Sequence, residues 1–294
     1  MKALIFSAAF LGSLFSSKAQ TISPADSTGL PGDHFSLEGA LELFKISQSP
    51  EEFEKMLNAE DNKVNNLDLN GDGETDYIKV IDKQEGNAHA FILQAVVSET
   101  ENQDVAVIEL EKKSDDKAVL QIVGDEDVYG QQTIVEPTQK VAVNAGTSTK
   151  TVIVNVQPWP VVRYVYTPSY AVWVSPWRWR TYPAWYRPWR PVHYHVFYGY
   201  RSPYRYHYTV ARRHRVIVAH RAYVPVRTTS VTVRTRNQAT MTTYRTNRTT
   251  RNVAVPRSRS NVQNAAPRSR ATGNNHSHAA PRKAAPPQKA RPRN

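Results

Sequence analysis

The chain has 294 residues and a net charge of +12, from 38 Lys and Arg against 26 Asp and Glu. It contains no cysteine, which excludes a disulfide framework, a thiol nucleophile and a cysteine-type zinc finger. All 26 acidic residues lie between Asp26 and Glu136, whereas residues 137–294 carry 28 basic side chains, 24 of them Arg, and no acidic side chain.

Lys2, the apolar run Ala3 to Phe15 and the small residues Ser17 and Ala19 have the three parts of a secretory signal peptide, read as residues 1–19. The run is shorter than the roughly 20 residues a membrane-spanning helix needs. The expected location is therefore outside the cytoplasm, in periplasm, on the outer-membrane surface or secreted. A linker follows at 20–34. Ser36 then caps a helix whose apolar residues Leu37, Ala40, Leu41 and Phe44 recur at helical spacing. Ser49-Pro50-Glu51-Glu52 announces a second helix, with a cap residue, a proline in the first turn and a capping-box glutamate ahead of Phe53, Met56 and Leu57.

Next comes Asp68-Leu69-Asn70-Gly71-Asp72-Gly73-Glu74-Thr75-Asp76. Oxygen side chains at loop positions 1, 3, 5 and 9, a glycine at 6 and a backbone carbonyl at 7 suit a hard cation. Asp68, Asn70, Asp72, Glu74 and Asp76 are the expected ligands of a structural calcium ion. The nine residues resemble the calcium loops of EF-hand-like and dockerin modules. One departure is Lys79 at loop position 12, where an EF-hand carries a bidentate glutamate, so the expected affinity is weak, about 0.1 to 1 mM. The alternative is an Asx-rich turn that needs no ion.

Beyond the loop the period changes. Tyr77 to Asp82, Ala88 to Val97, Val105 to Lys112 and Ala118 to Val123 are Val- and Ile-rich runs joined by polar connectors. They read as an antiparallel meander that needs a covering layer. The expected fold over 35–136 is α+β, two helices packed on a roughly four-stranded antiparallel sheet. Asp125-Glu126-Asp127 reads as a solvated turn. With Leu67 to Gly73, Asp76 to Ile78 and Val105 to Leu110, this segment is similar to a group of uncharacterised exported proteins of Bacteroidetes-type bacteria. The resemblance implies export and one domain; it brings no activity.

A transition strand is expected in 137–158, where Val152, Val154 and Val156 alternate. Residues 159–226 form a Trp/Tyr/Arg/Pro-rich region with 18 aromatic residues between Trp159 and Tyr208, among them every tryptophan of the chain. Its prolines interrupt helices and central strands, so it reads as extended. Arg163, Trp177, Arg178, Trp179, Arg180, Arg187, Trp189 and Arg190 interleave cations with rings, which fits an anionic polymer or membrane surface, or nucleic acid. Residues 227–294 read as a basic, largely disordered tail. His193 and His195 are placed on one strand face near His207, His214 and His220, without an established metal-ligand spacing or a nearby acid.

No G-x-S-x-G, H-E-x-x-H, P-loop or G-x-G-x-x-G is present. The expected function is non-catalytic, a calcium-stapled exported module whose cationic aromatic region binds anionic envelope polymers. The alternatives are an extracellular nucleic-acid-binding protein, and a charge-neutralised module in which the basic segment docks on its own acidic domain.

Overall fold

The computed structural model describes residues 27–143 and 148–254. The signal peptide read at 1–19, the linker residues 20–26 and the tail beyond 254 lie outside the described residues. Two capped helices come first, α1 (Leu37–Ile46) and α2 (Pro50–Leu57). Ser36 Oγ accepts from Gly39 N at 3.0 Å and Ser49 Oγ from Glu52 N at 3.1 Å, satisfying amides that the first turn leaves unpaired.

The sheet is larger than four strands. β1 (Ile78–Glu85), β2 (Ala88–Val96), β3 (Asn102–Ser114) and β4 (Lys117–Gly124) form the expected meander. A short helix, α3 (Glu126–Tyr129), leads to β5 (Thr133–Val143) and β6 (Ser148–Ile153). After α4 (Pro160–Val165) and α5 (Tyr194–Arg201), β7 (Tyr208–Ala211) returns to the sheet. The order is β1-β2-β3-β4-β5-β6, all antiparallel, with β7 also paired to β5 from Ile134↔Ala211 to Pro137↔Tyr208. The change from acidic to basic composition at Glu136–Pro137 therefore falls inside β5. The charge division marks no structural boundary, because backbone pairing does not depend on side-chain charge.

Both faces of the sheet are covered. The front face sends Ile78, Val80, Phe91, Leu93, Ile108, Leu110 and Leu120 into one core with Leu41, Phe44, Phe53 and Leu57 of α1 and α2. Phe44 lies 5.1 Å from both Phe53 and Phe91 between ring centroids. Val156, Val161, Val162 and Val165 complete this core from the basic half. The back face is covered by α6 (Ile217–Tyr223), whose Ala219 and Tyr223, with Val216, meet Ala90, Ile92, Val107, Val123 and Ile134.

The back face also buries acids, and basic residues meet them. Glu136 Oε1 lies 2.9 Å from Arg215 Nε, and Glu109 Oε1 lies 2.6 Å from His220 Nδ1. Asp104 accepts from Thr228 N at 2.8 Å, Tyr223 OH at 3.2 Å and Gln94 Nε2 at 2.8 Å. The acidic run at 125–127 is not a solvated turn. Asp125 is buried, caps α3 through Asp127 N at 2.8 Å and receives Arg227 in a two-pronged contact of 2.5 and 2.9 Å. Arg227 reaches it from outside the acidic half, so local composition carries no trace of the pairing.

Residues 231–254, expected as part of a disordered tail, form the 24-residue helix α7 (Val231–Ala254). Its start is fixed by Ser230 Oγ, which accepts from Val233 N at 3.1 Å, and by the Glu101 carboxylate, which accepts from Thr232 N at 3.0 Å. Threonine is a poor helix former, but here Thr242, Thr243, Thr249 and Thr250 each donate to the carbonyl four residues back at 2.8 to 3.0 Å. Val233, Asn237, Met241 and Tyr244 form the less exposed stripe of the helix. The Tyr244 ring passes so close to Gly130 that a Cβ there would stand 2.5 Å from it, which only glycine permits.

Burial raises several of these carboxyls. Asp104 is pushed up to about 6, and Glu54, Asp76, Asp125 and Glu136 are also raised, in each case chiefly by burial. A carboxyl whose folded pKa exceeds its unfolded value binds its proton more tightly when folded, so its contribution to stability grows as pH falls through the folded pKa. His220, raised by its bond to Glu109, acts in the same direction; His34, lowered by burial, opposes. The free energy of urea unfolding is therefore expected to rise between pH 7 and pH 5, with Asp104 alone contributing on the order of 1 kcal/mol. A flat or falling stability across that window would contradict the burial of these groups.

Candidate functional site: an acidic loop beneath an aromatic strap

The loop at 68–76 folds by turn chemistry. Gly71 and Gly73 take the left-handed conformation, with φ of 73° and 84°. The Asp68 carboxylate accepts from the amides of Gly71, Asp72 and Gly73 at 2.6, 3.1 and 3.0 Å. Asn70 Oδ1 accepts from Asp72 N and Asp72 Oδ1 from Glu74 N, each at 2.9 Å. Asp76 is buried, and its Oδ2 accepts from Leu69 N at 2.6 Å, closing the loop. Glu74 is exposed. The donor set is all oxygen, the kind a hard cation takes.

The electrostatics favour positive charge here. Burial raises the Asp76 carboxyl well above the usual range, and the charges of Asp68 and Asp72 raise it further, while Arg236 pulls it back. Arg236 reaches the loop from α7, its Nη1 donating to Leu69 O at 3.3 Å. A Cβ on Gly71 would stand 2.1 Å from that nitrogen, the end of a flexible side chain that can swing aside, so it is the left-handed backbone angle that calls for glycine there.

On the other side lies the aromatic region, a strap running from Tyr170 to Val192. It is hydrogen-bonded along the edge of the acidic half. Asp82 N donates to Trp173 O at 2.8 Å and Ser175 N to Val80 O at 3.1 Å, so the strap covers the open edge of β1. Thr75 N donates to Trp189 O at 2.8 Å and Tyr186 OH to Thr75 O at 2.7 Å, fixing the strap to the loop itself. Tyr77, Tyr182 and Tyr186 pack with centroids 4.9 to 5.1 Å apart. Between loop and strap is a cavity of about 130 Å³ lined by Asn70, Asp72, Asp76, Trp179, Arg180 and Tyr186, among others.

The central anchor of the strap is Glu54, which sequence reading passed over. It lies buried on α2 beside Phe53, and four donors converge on its carboxylate: Tyr77 OH at 2.7 Å, Val80 N at 2.9 Å, Ser175 Oγ at 2.8 Å and Trp173 Nε1 at 3.2 Å. The available signal is one acid on the apolar side of an amphipathic helix, between Phe53 and Leu57.

Of the eight residues expected to contact an anionic partner, the rings and the cations separate. Trp177, Trp179 and Trp189 are half-buried against the acidic half, packed around Tyr77 and Tyr186. Arg163, Arg178, Arg180, Arg187 and Arg190 are all exposed. None of the five makes an ion pair among the described residues, whose arginine pairs involve Arg201, Arg215, Arg227 and Arg234. Compared with protein-family models, curated proteins and solved structures, the chain has no significant match.

Replacing Glu54 with alanine leaves four donors without their acceptor. The expected cost is roughly 3 kcal/mol of stability in urea. Tryptophan emission of the folded variant should shift to the red as Trp173 and Trp177 become hydrated. Unchanged stability and emission would mean that the strap is held elsewhere.

Proposed function

We propose that the protein is a non-catalytic exported binding protein whose exposed arginines, Arg163 on α4 and Arg178, Arg180, Arg187 and Arg190 on the strap, hold anionic polymers of the cell envelope. The observation that supports this is the separation of rings from cations. Trp173, Trp177, Trp179, Tyr186 and Trp189 are engaged in attaching the strap to the acidic half, whereas Arg163, Arg178, Arg180, Arg187 and Arg190 face solvent without carboxylate partners among the described residues. Contact is then ionic and multivalent rather than built on stacking. Acidic glycan, lipopolysaccharide phosphate and anionic lipid headgroups share the required chemistry.

Each arginine near an anionic surface contributes on the order of 1 kcal/mol, screened by salt. Retention of the full-length protein on anionic vesicles or an acidic glycan should fall steeply with salt. The five-fold Arg→Gln variant should bind at least about tenfold more weakly. Equal binding by wild type and variant would reject the reading, and stronger retention on DNA at equal salt would favour the nucleic-acid alternative.

The alternative of a module neutralised by its own basic segment draws on the pairs Arg227–Asp125, Arg215–Glu136 and His220–Glu109. The two readings combine: the segment around α6 neutralises the back face, and the strap arginines remain for a partner.

The loop at 68–76 belongs to this proposal as a calcium staple. Asp68, Asn70, Asp72 and Asp76 supply side-chain oxygens and Glu74 its carbonyl, and a bound ion would offset the burial, and the lesser repulsion from Asp68 and Asp72, that raise Asp76. Arg236 competes for the same charge. Calcium at millimolar concentration should raise the melting temperature relative to chelator, and Asp68→Ala with Asp72→Ala should erase that difference. Arg236→Gln should enlarge it. Identical melting of the wild type in calcium and in chelator would leave the loop as a turn only.

A further inference from the structure

On the back face, far from the loop in sequence, two histidines of the basic half converge on one carboxylate of the acidic half. Glu109, on β3, is fully buried. His214 lies just before α6 and His220 within it, and their ring centroids are 4.0 Å apart. Glu109 Oε1 is 2.6 Å from His220 Nδ1, and Oε2 is 3.6 Å from His214 Nδ1. One ligand atom from each of the three lies within 4.8 Å of the others. His193 and His195 do not share a strand face; His195 is in α5.

The hydrogen bonds around the cluster fix the state of His214. Gln121 Oε1 accepts from Arg215 N at 2.8 Å, so the amide must point its nitrogen the other way. That nitrogen contacts Glu109 Oε2 at 2.5 Å and His214 Nδ1 at 3.1 Å. His214 Nδ1 is therefore the unprotonated acceptor, its lone pair on the side of Glu109 and taken up by the Gln121 amide. His214 Nε2 then carries the hydrogen and donates to Gln132 Oε1 at 3.1 Å. An imidazole with one nitrogen aimed inward and the other held by an outer acceptor is the arrangement found in metal-bound histidine. Glu109 and the His214 lone pair are two neighbouring acceptors that share one neutral donor, the Gln121 amide nitrogen, which an ion ligated by both would displace.

We propose that Glu109, His214 and His220 form a binding site for a divalent transition ion of the zinc type. Two imidazole nitrogens and one carboxylate oxygen suit such an ion and not calcium or magnesium, which take oxygen. Tetrahedral bonds of about 2.1 Å place ligand atoms about 3.4 Å apart, close to the 3.6 Å between Glu109 Oε2 and His214 Nδ1, whereas His220 Nδ1, now hydrogen-bonded to Glu109 Oε1 at 2.6 Å, must give up that contact to turn to the ion. The side chains of His214 and His220 are 20% and 22% exposed, which leaves the outer side open for a water as fourth ligand. Binding expels the proton that His220 shares with Glu109, so affinity falls as pH drops. The ion ties β3 of the acidic half to α6 of the basic half, independently of any polymer on the strap.

The test is titration of the full-length, metal-free protein with zinc chloride by calorimetry near neutral pH, repeated with cobalt(II) to read four-coordinate absorption. The expected result is one ion per chain held by this cluster, with affinity at least tenfold weaker in His214→Ala and in His220→Ala. Gln132→Ala, a milder change outside the cluster, should weaken binding about tenfold through the orientation of His214. A His193→Ala, His195→Ala, His276→Ala and His278→Ala variant should bind as the wild type does. Absence of zinc binding, or affinity unchanged in His214→Ala, His220→Ala and Gln132→Ala, would overturn the proposal.

Discussion

The back face of the sheet is where charge has to be settled. Strand alternation turns Glu109 and Glu136 to the same side as Ala90, Ile92, Val107 and Val123, and the bulge at Val105 brings Asp104 there too, so a cover must be apolar and must also donate hydrogen bonds. A purely apolar helix would strand those carboxylates. The segment from His214 to Ser230 meets both demands, with Val216, Ala219 and Tyr223 packing while Arg215, His220 and the amide of Thr228 reach the acids. The positions of β7, α6 and α7 follow from that fit.

Charge and aromaticity have different tasks in the basic half. On the back face and at α3, cations are turned inward as counter-charges, as Arg227 shows at Asp125. Along the strap the order reverses, and rings and hydroxyls make the attachment through Trp173, Ser175, Tyr186 and their partners Glu54 and Thr75. An arginine carries one permanent charge, and a burial site without an acid excludes it. Rings with a polar tip can be buried wherever a carbonyl or carboxylate is near.

Much of the acidic half was legible because its signals are local. Ser36 and Ser49 announce helices by capping, and β1 to β4 alternate and are joined by short polar connectors. The turn geometry of the loop at 68–76 follows from its Asp, Asn and Gly residues. The rest depended on partners more than a hundred residues away. Asp125 looked solvated because Arg227 is distant in sequence, and Glu54 looked like an ordinary helix acid because Trp173 and Ser175 are. Residues 231–254 lacked an apolar face wide enough to predict a helix; Glu101 at its start, Gly130 beside Tyr244 and the threonine back-bonds supply what the pattern does not. The strand expected in 137–158 corresponds to β6, which includes Val152 but not Val154 or Val156, while β5 is obscured because the charge break falls inside it.

The pairing of Arg227 with Asp125 spans 102 residues, and that separation sets a timetable for the newborn chain. Strands β1 to β4 can pair soon after they emerge, since their connections are short. Their back face, with Ile92, Val107 and Val123, stays uncovered until α6 has also emerged. At about 5 to 20 residues per second, synthesis of the intervening chain takes roughly 5 to 20 s. During that interval the protein is a half-covered sheet with exposed carboxylates among apolar side chains. Those carboxylates, later neutralised by the basic segment, first give the unfinished face a charge that opposes its association with another copy.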